Sequence, residues 1–226
     1  MNIQLLIAML CGTLSLFGQA ASPRQAFVEA TYSVQLHMKN DRPTMPELQK
    51  VADILDNVEV VLLCNNTTSY SFIPYPFDVR DLTEELARVI LRADYAYYTD
   101  IAIDSHVMEV SKQDARVFVE VDTRILWTIT DTVAVINDIP CIYATGVIPS
   151  TIAGFKDEKV SAWFTSEYPL PFGPQGLYGL PGLIVQANRM GNIYALKRIR
   201  NVSAIQVNVP SPGKGKRIKY AEFFKK

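Results

Sequence analysis

Histidine and cysteine are scarce in this chain of 226 residues, which contains two histidines and three cysteines. His37 and His106 lie far apart, and a zinc site built on them would need further ligands that no local spacing provides. His37 falls in an alternating pattern and is predicted to lie on a strand face. His106 follows Ser105, and because neighbouring residues on a strand point to opposite faces, a surface loop is predicted there instead. We therefore predict no metal site and no cofactor.

Sequence motifs of common hydrolases and nucleotide-binding enzymes are also missing. Ser166 lacks the Gly-x-Ser-x-Gly environment of a nucleophile elbow, and no glycine-rich stretch continues into the Gly-Lys-Ser/Thr of a phosphate loop. Asp78, Asp81, Glu84 and Glu85 form an acidic cluster that resembles paired catalytic carboxylates or a calcium site. Their position at the start of a predicted helix favours capping and dipole stabilisation instead. The sequence thus predicts no catalytic residue and no enzymatic activity.

Charge is nearly balanced overall but unevenly distributed. The chain carries 22 basic and 23 acidic residues. From Pro210 onward there are six basic residues and a single acidic one, Glu222, whereas the preceding body is acidic. Such a basic end meets anionic lipid headgroups or an acidic partner, or docks weakly on its own acidic body. Nucleic-acid binding is disfavoured, because the body is acidic and aromatic residues do not alternate with basic ones.

The beginning of the chain is typical of an export signal. Residues 5–17 form an apolar run interrupted only by small or hydroxyl residues, and Gly18-Gln19-Ala20 places small side chains at both cleavage-defining positions. The run is too short to span a bilayer stably, and a buried N-terminal strand or helix is the alternative. Leu10 before Cys11 argues against a lipoprotein signal. We expect a signal peptide over residues 1–20 and no transmembrane segment in the mature chain.

Removal of the signal leaves two cysteines, Cys64 and Cys141. In an oxidising envelope they are able to form a disulfide that closes a long loop. Each also sits in an apolar run, where a free cysteine behaves as a small core residue. The sequence leaves both arrangements open. Neither cysteine has the histidine or closely spaced thiol that a metal or redox site needs.

Hydrophobic patterning indicates a mainly β protein with two early helices. Residues 27–38 alternate, and a hairpin is predicted over residues 58–73. One helix is predicted to follow a capping box at Thr44, with a helical stripe of Leu48, Val51, Ala52 and Leu55. A second begins near Asp81, with Leu82, Leu86, Val89 and Ile90 on one side and with an exposed Glu84–Arg88 pair. Later strands are predicted over residues 116–121, 126–130, 133–136, 139–147, 160–165, 183–187, 193–199 and 202–209.

Short strands at this spacing point to an antiparallel sandwich or half-barrel whose open side or one face is covered by the two helices. The arrangement resembles the half-barrel of lipoprotein carriers of the LolA type. One β-rich domain is predicted over residues 21–209, because a chain of this length can bury a substantial core. A basic tail over residues 210–226 completes the predicted organisation.

A segment rich in glycine and proline is the most informative part of the chain. Its glycines allow positive φ or close backbone approach, and its prolines fix φ and remove donors. The chain is therefore predicted to turn sharply there, while three aliphatic residues anchor the turn on the core and begin a strand. The motif residues are Gly173, Pro174, Gly179, Leu180, Pro181, Gly182, Leu183 and Ile184. The segment also has a functional interpretation, which does not exclude the structural one. In the functional interpretation, an apolar pocket has its mouth lined by Trp163, Phe172, Tyr178 and Leu180.

This segment resembles the signature of the GLPGLI family, a set of exported proteins known mainly from Bacteroidota. Residues 163–174 and Gly179-Leu180-Pro181-Gly182-Leu183-Ile184 carry the resemblance. Trp127-Thr128-Ile129 and residues 135–144 look like the family's tryptophan-to-cysteine segment, and the end with Glu222-Phe223 looks like the usual family ending. One departure is Ile142-Tyr143, where the family usually carries more polar residues. The resemblance implies export, either to the periplasm or to an outer-membrane-associated or secreted location, and gives no established activity.

Two functions from different classes fit these observations. The first is a non-enzymatic module of the cell envelope that holds a lipid or acylated ligand in a β half-barrel beneath the glycine-proline segment. The second is an interaction module associated with an outer-membrane transport or secretion complex. It would use the basic tail and exposed loops around residues 95–98. An enzyme is the third and least favoured option.

Overall fold

A computed structural model of the protein describes residues 27–37, 46–112, 115–203, 212–213 and 215–225. The predicted signal peptide with Cys11, the predicted capping residue Thr44 and most of the predicted strand 202–209 lie outside the described residues. So do Lys214 and Lys226 of the basic tail.

The described residues form twelve strands, three α-helices and one short 3₁₀ turn at Pro174–Gly176. The helices are α1 (Pro46–Leu55), α2 (Leu82–Leu91) and α3 (Tyr220–Phe223). The strands are β1 (Phe27–Leu36), β2 (Glu59–Cys64), β3 (Thr68–Phe72), β4 (Tyr95–Asp100), β5 (Ser105–Lys112), β6 (Ala115–Glu120), β7 (Leu126–Ile136), β8 (Ile139–Ile148), β9 (Glu158–Thr165), β10 (Leu183–Arg189), β11 (Asn192–Val202) and β12 (Lys216–Lys219).

All twelve strands belong to one sheet, in the order β12-β6-β5-β4-β3-β2-β1-β11-β10-β9-β8-β7. Neighbouring strands are antiparallel except β12, which pairs in parallel with β6. The sheet is not closed into a barrel, so β7 and β12 are its edges. The predicted mainly β fold with amphipathic helices is thus confirmed, as one open sheet rather than two separate ones.

The main core lies where α1 and α2 pack beside the centre of the sheet. Val51 and Leu55 of α1 and Leu91 of α2 are fully buried in one cluster with Tyr32 of β1 and Leu62 of β2. Each of these side chains is removed from water almost completely, which is worth about 1.5–3 kcal/mol per large aliphatic residue. The apolar residues that the sequence periodicity assigned to the inner side of α1 and of the strands therefore pack against each other in this core.

Of the four aliphatic residues predicted to share one side of the second helix, only Ile90 packs against the core. Leu82, Leu86 and Val89 are 86%, 41% and 59% exposed, whereas Ala87 and Leu91 are buried. Alanine at position 87 allows close packing, so the helix buries the side that carries Ala87 and Leu91 and leaves Leu82, Leu86 and Val89 exposed. Its ion pair also differs from the prediction, because Arg88 binds Glu85 at 2.6 Å and Asp94 rather than Glu84.

Two segments predicted as surface loops are strands. Tyr97 and Tyr98 lie in β4 and are only 9% and 7% exposed, so the predicted exposed loop around residues 95–98 is wrong. His106 lies in β5, opposite Thr99 of β4. Tyr97 and Tyr98 are adjacent on β4, so their rings lie on opposite faces of the sheet, and both faces are covered there. His37, by contrast, comes directly after the end of β1 and is exposed.

The predicted break at Asp131-Thr132 is also wrong. One continuous strand, β7, runs from Leu126 to Ile136 and pairs with β8 on both sides of a register shift between Ile129 and Val133. A bulge accommodates the extra residues without ending the strand. This makes β7 an edge strand of 11 residues.

Candidate functional site

The glycine-proline segment, residues 169–182, folds back on itself over the sheet. Gly173 donates to the carbonyl of Leu177 at 2.8 Å, and Gly179 donates to the carbonyl of Pro171 at 2.9 Å. These bonds close a compact loop in which Phe172 pairs with Tyr178 as an isolated bridge. The loop therefore has a defined conformation set by its own backbone bonds.

Two glycines are required by the close approach of other parts of the chain. A Cβ on Gly182 would lie 2.0 Å from the carbonyl oxygen of Thr165, on the neighbouring strand β9. A Cβ on Gly176 would lie 2.6 Å from the ring of Tyr97, and Gly176 has a φ of +72°. Both contacts leave no space for a side chain, so these glycines fix the segment against β9 and β4.

Three hydrogen bonds fasten the segment and the start of β10 to distant strands. The buried hydroxyl of Tyr32 donates to the carbonyl of Ile184 at 2.8 Å. The indole nitrogen of Trp127 donates to the carbonyl of Tyr178 at 2.8 Å, and the backbone amide of Gln175 donates to the hydroxyl of Ser71 at 3.0 Å. Strands β1, β7 and β3 thus all hold this region in place.

The four residues predicted to line a pocket do not come together as one site. Phe172 and Leu180 are fully buried, in two different core clusters, and so are the motif residues Leu183 and Ile184. Trp163 is half-buried, with its ring 4.9 Å from the ring of Tyr143. Tyr178 borders an open cavity.

That cavity, called the cleft here, has a volume of about 260 Å³. Tyr97 of β4 and His106 and Met108 of β5 form one part of its wall. Ile152 and Phe155, from the loop of residues 149–157, form another, and Gly176 and Tyr178 contribute a third. Since β5 is third and β8 eleventh in the sheet order, residues after β8 reach the cleft only because the sheet curls.

His106 and Tyr178 stack against each other in the cleft wall, with ring centroids 4.0 Å apart and planes 18° apart. The Nε2 atom of His106 lies 3.4 Å from the carboxylate of Asp104, and its Nδ1 atom is buried without a hydrogen-bond partner among the described residues. Burial lowers the pKa of His106, against a smaller upward effect of Asp104. The imidazole is therefore neutral at pH 7 and presents a mostly aromatic surface.

A largely buried ion pair provides the main polar feature beside the cleft. The Nε atom of Arg189 lies 3.0 Å from the carboxylate of Glu158, and Arg189 also donates to the carbonyl of Gln175. The guanidinium carbon lies 5.7 Å from the ring centre of Tyr97. Burial opposes the charge of Arg189, but Tyr97 and Glu158 outweigh burial and raise its pKa. Glu158 is consequently neutralised by a fixed cation.

The loop of residues 149–157 is held by local hydrogen bonds and exposes an aromatic ring. The amide of Ser150 donates to the carboxylate of Asp157 at 3.0 Å, and the amide of Phe155 donates to the carbonyl of Ile152 at 3.1 Å. Phe155 lines the cleft yet is 66% exposed. A large apolar ring left open to water beside a cavity is a feature of binding surfaces.

The remaining predicted site residues lie away from the cleft. Cys64 and Cys141 are buried and free of any disulfide, and burial raises the pKa of Cys64 to about 12. Asp81 caps α2 by accepting from the amides of Thr83 and Glu84 at 2.8 and 3.0 Å. Among the described residues, no group of histidine, cysteine and carboxylate side chains is arranged to hold a metal ion. No helix in the described part of the chain is long and apolar enough to cross a membrane.

Sequence reasoning missed most of the cleft. Tyr97, Met108 and Arg189 lie in strands whose partners across the cleft are far away in the chain, so no local pattern brings them together. One usable signal was the alternation of Tyr95, Tyr97 and Thr99, which is typical of a strand.

One family of known sequences is similar to part of this chain. Residues 149–186 match the model of an uncharacterised family associated with Bacteroidota, described as "Protein of unknown function (Porph_ging)". The matched segment contains the cleft loop, β9, the glycine-proline segment and the start of β10. It also includes the six residues that carry the resemblance to the GLPGLI family.

Two solved structures of PNGF-II, in space groups C2 and P21, share the fold with TM-scores of 0.52 and 0.53. Sequence identity is 10% in both, and the alignment covers 88% of this chain but only 32% of PNGF-II. The chain therefore spans about a third of that protein, and the likeness concerns the fold alone. No curated protein matches the sequence.

Proposed function

We propose that this protein is a non-enzymatic binding module of the cell envelope that holds a small, mainly apolar ligand in the cleft. The observation that carries the proposal is the composition of the cleft wall. Tyr97, Met108, Ile152, Phe155 and the stacked Tyr178 surround a defined volume whose lining is more apolar than polar, which is the usual character of a small-molecule site. Much of that wall belongs to the segment that matches the family model.

The polar groups near the cleft favour binding over catalysis. Glu158 is already paired with Arg189. His106 is covered on one face by Tyr178, and its Nδ1 atom is buried. General acid–base catalysis needs a titratable group within hydrogen-bond reach of a substrate, and these two groups are engaged or enclosed instead. The leader-like residues 1–20 support placement of the protein outside the cytoplasm.

The size of the cleft limits the ligand class. About 260 Å³ is just below the ~300–1,000 Å³ of typical ligand sites. One acyl chain or one small aromatic system fits such a volume, whereas a two-chain lipid is too large. We therefore propose a ligand with a single apolar body.

Binding of the neutral fluorophore N-phenyl-1-naphthylamine tests the proposal. Phe155→Ala removes an exposed ring from the cleft wall, so the dissociation constant should rise about 5- to 10-fold for a loss of ~1–1.4 kcal/mol. Val135→Ala is the matched control, because Val135 is 71% exposed on β7, does not line the cleft and should leave affinity unchanged. Equal affinity of both variants and the wild type would contradict the proposal.

A second candidate function, a protein-interaction module, is favoured by the outer edge of β7. In the described part of the chain no strand pairs with that edge, and Leu126, Ile129, Val133 and Val135 are 49–73% exposed. Free edge strands accept extended peptides as an additional strand. Asp131 is the single charged residue of β7, so the fitting partner is an extended segment with apolar residues and a central lysine or arginine.

A pair of short alternating Val/Thr peptides, one with a central lysine and one with a central glutamate, tests this second function. Fluorescence anisotropy should show binding of the lysine peptide and much weaker binding of the glutamate peptide, because like charges opposite each other repel. Val133→Lys should weaken binding of the lysine peptide without loss of folding, since Val133 is 73% exposed. Absence of binding by both peptides would contradict this function and leave the cleft proposal intact.

A further inference from the structure

We infer that the ligand of the cleft is an anionic amphiphile, with an apolar body in the cleft and one negatively charged group at its rim. This inference rests on the proposed function and adds the charge of the ligand to it. Arg92 and Lys156 carry it, since both line the cleft and neither lies within ion-pair distance of a carboxylate in the described residues. Their sequence positions place them on different parts of the wall, after α2 and in the loop of residues 149–157.

Arg92 occupies a backbone position that usually belongs to glycine. It ends α2 in the left-handed conformation, with φ 50° and ψ 46°. Glycine is the common residue at such a position, because a Cβ is strained there. The conformation costs some free energy, which binding of a ligand by the Arg92 side chain would offset. Its guanidinium carbon lies 5.8 Å from the ring centre of Tyr95, which orients the side chain without neutralising it.

The neighbouring arginine of the same helix shows the contrast. Arg88 contacts both Glu85 and Asp94, so its charge is compensated by two carboxylates. Arg92 lies one turn further on and has no such partner among the described residues. A cation left free beside an apolar cavity is suited to an anionic group of a ligand.

Lys156 supplies the second free charge. It is exposed, and the carboxylate beside it in the chain, Asp157, accepts from the amide of Ser150. Of the four charged residues that line the cleft, three are basic and the acidic one, Glu158, is neutralised by Arg189. The cleft therefore presents two uncompensated positive charges, which attract an anion and repel a cation.

Two fluorophores with the same aromatic skeleton test this charge preference directly. N-phenyl-1-naphthylamine is neutral, and 8-anilinonaphthalene-1-sulfonate adds one sulfonate to it. We expect the sulfonate to bind about tenfold more tightly in the wild type, and this preference to fall as salt is raised. Arg92→Gln and Lys156→Gln should each weaken binding of the sulfonate severalfold and weaken binding of the neutral probe much less. Lys159→Gln, an exposed strand residue that does not line the cleft, should change neither.

Arg92→Gly separates a binding role from a structural one. Glycine suits the left-handed position, so the melting temperature should not fall, while affinity for the sulfonate should drop as in Arg92→Gln. Equal binding of both probes, with no effect of either Arg92 variant, would overturn the anionic ligand and leave the proposed function standing. If neither probe binds the wild type, the proposed function fails and the anionic ligand fails with it.

Discussion

The imidazole of His106 lies flat against the phenol ring of Tyr178, with the ring centroids 4.0 Å apart. This contact joins β5 to the glycine-proline segment, two parts of the chain that are 72 positions apart in the sequence. It forms one part of the wall of the cleft and encloses the histidine. The same contact therefore fixes the glycine-proline segment against β5 and forms part of the cleft wall.

Enclosure of His106 makes stability depend on pH. Burial lowers the pKa of His106 in the folded protein below its ordinary value of 6.5, so the unfolded chain takes up a proton more readily than the folded one. The free energy of unfolding should therefore decrease as the pH falls from 7.5 through about 6.5 and down to the folded pKa. Urea unfolding at several pH values measures this slope.

His106→Gln should remove most of that slope, because glutamine does not titrate. His37→Gln is the matched control, since His37 is exposed beyond the end of β1 and contacts no aromatic ring in the described residues. If the slope is the same in wild type and His106→Gln, the histidine is not enclosed in the way described.

Gly182→Ala should be strongly destabilising. The added Cβ would lie 2.0 Å from the carbonyl oxygen of Thr165, so β9 and β10 must separate or the turn must shift, at a cost of about 3 kcal/mol or more. Gly191→Ala is the control, because Gly191 has a φ of +77° but no atom within 4 Å of its added Cβ. Its cost should be only ~1 kcal/mol. Comparable midpoints of chemical denaturation for both variants would contradict the close approach.

The pair of Arg189 and Glu158 should contribute more to stability than an exposed pair. Glu158→Gln leaves a largely buried guanidinium without its partner and should cost about 2–3 kcal/mol. Glu59→Gln removes an exposed pair with Lys197, whose side chains are 39% and 49% exposed, and should cost less than ~0.5 kcal/mol. A double-mutant cycle with Arg189→Gln measures the coupling. A coupling near zero would show that the two side chains do not act as a pair.

The two described cysteines should be unreactive in the folded protein. Cys64 and Cys141 are both buried as free thiols, and burial raises the pKa of Cys64 to about 12. Because the thiolate is the reactive form, labelling by iodoacetamide should be slow until the protein unfolds. Mass spectrometry after labelling in denaturant without a reductant should find both residues alkylated. Failure to alkylate them under those conditions would instead indicate the disulfide that the sequence left open.

Short-range patterns in the sequence were sufficient to predict α1 and the strands β1, β2 and β3. The alternation of residues 27–38 predicted β1, and the turn at residues 65–68 placed β2 and β3 correctly. The spacing of Leu48, Val51 and Leu55 predicted α1. In each case the residues that face the core are close together in the chain, so one short window contains the information.

Elements that depend on distant partners were not predictable in this way. The outward face of α2 carries Leu82, Leu86 and Val89, which have the periodicity of a buried stripe, and only the packing around Ala87 determines which side turns inward. Asp131-Thr132 is typical of a turn, yet pairing with β8 carries β7 through it as a bulge.

The cleft was the least predictable feature, because its walls come from β4, β5 and the loop after β8. In the strand order β8 is far from β4 and β5, and these segments come together because the sheet curls. The strand order itself depends on pairing between residues that are distant in the sequence. Sequence reasoning singled out Tyr178 within the glycine-proline segment, and Tyr178 borders the cleft, but the residues that Tyr178 faces across the cleft are distant in the sequence.

Methionine labelling provides the most direct test of ligand binding in the cleft. The chain has six methionines, and the two among the described residues, Met108 and Met190, both line the cleft. With ¹³C-methyl methionine, assigned by single Met→Leu variants, a titration with N-phenyl-1-naphthylamine should shift the signals of Met108 and Met190 in a saturable manner. Saturable fluorescence with no movement of either signal, or no binding at all, would contradict the cleft as the binding site.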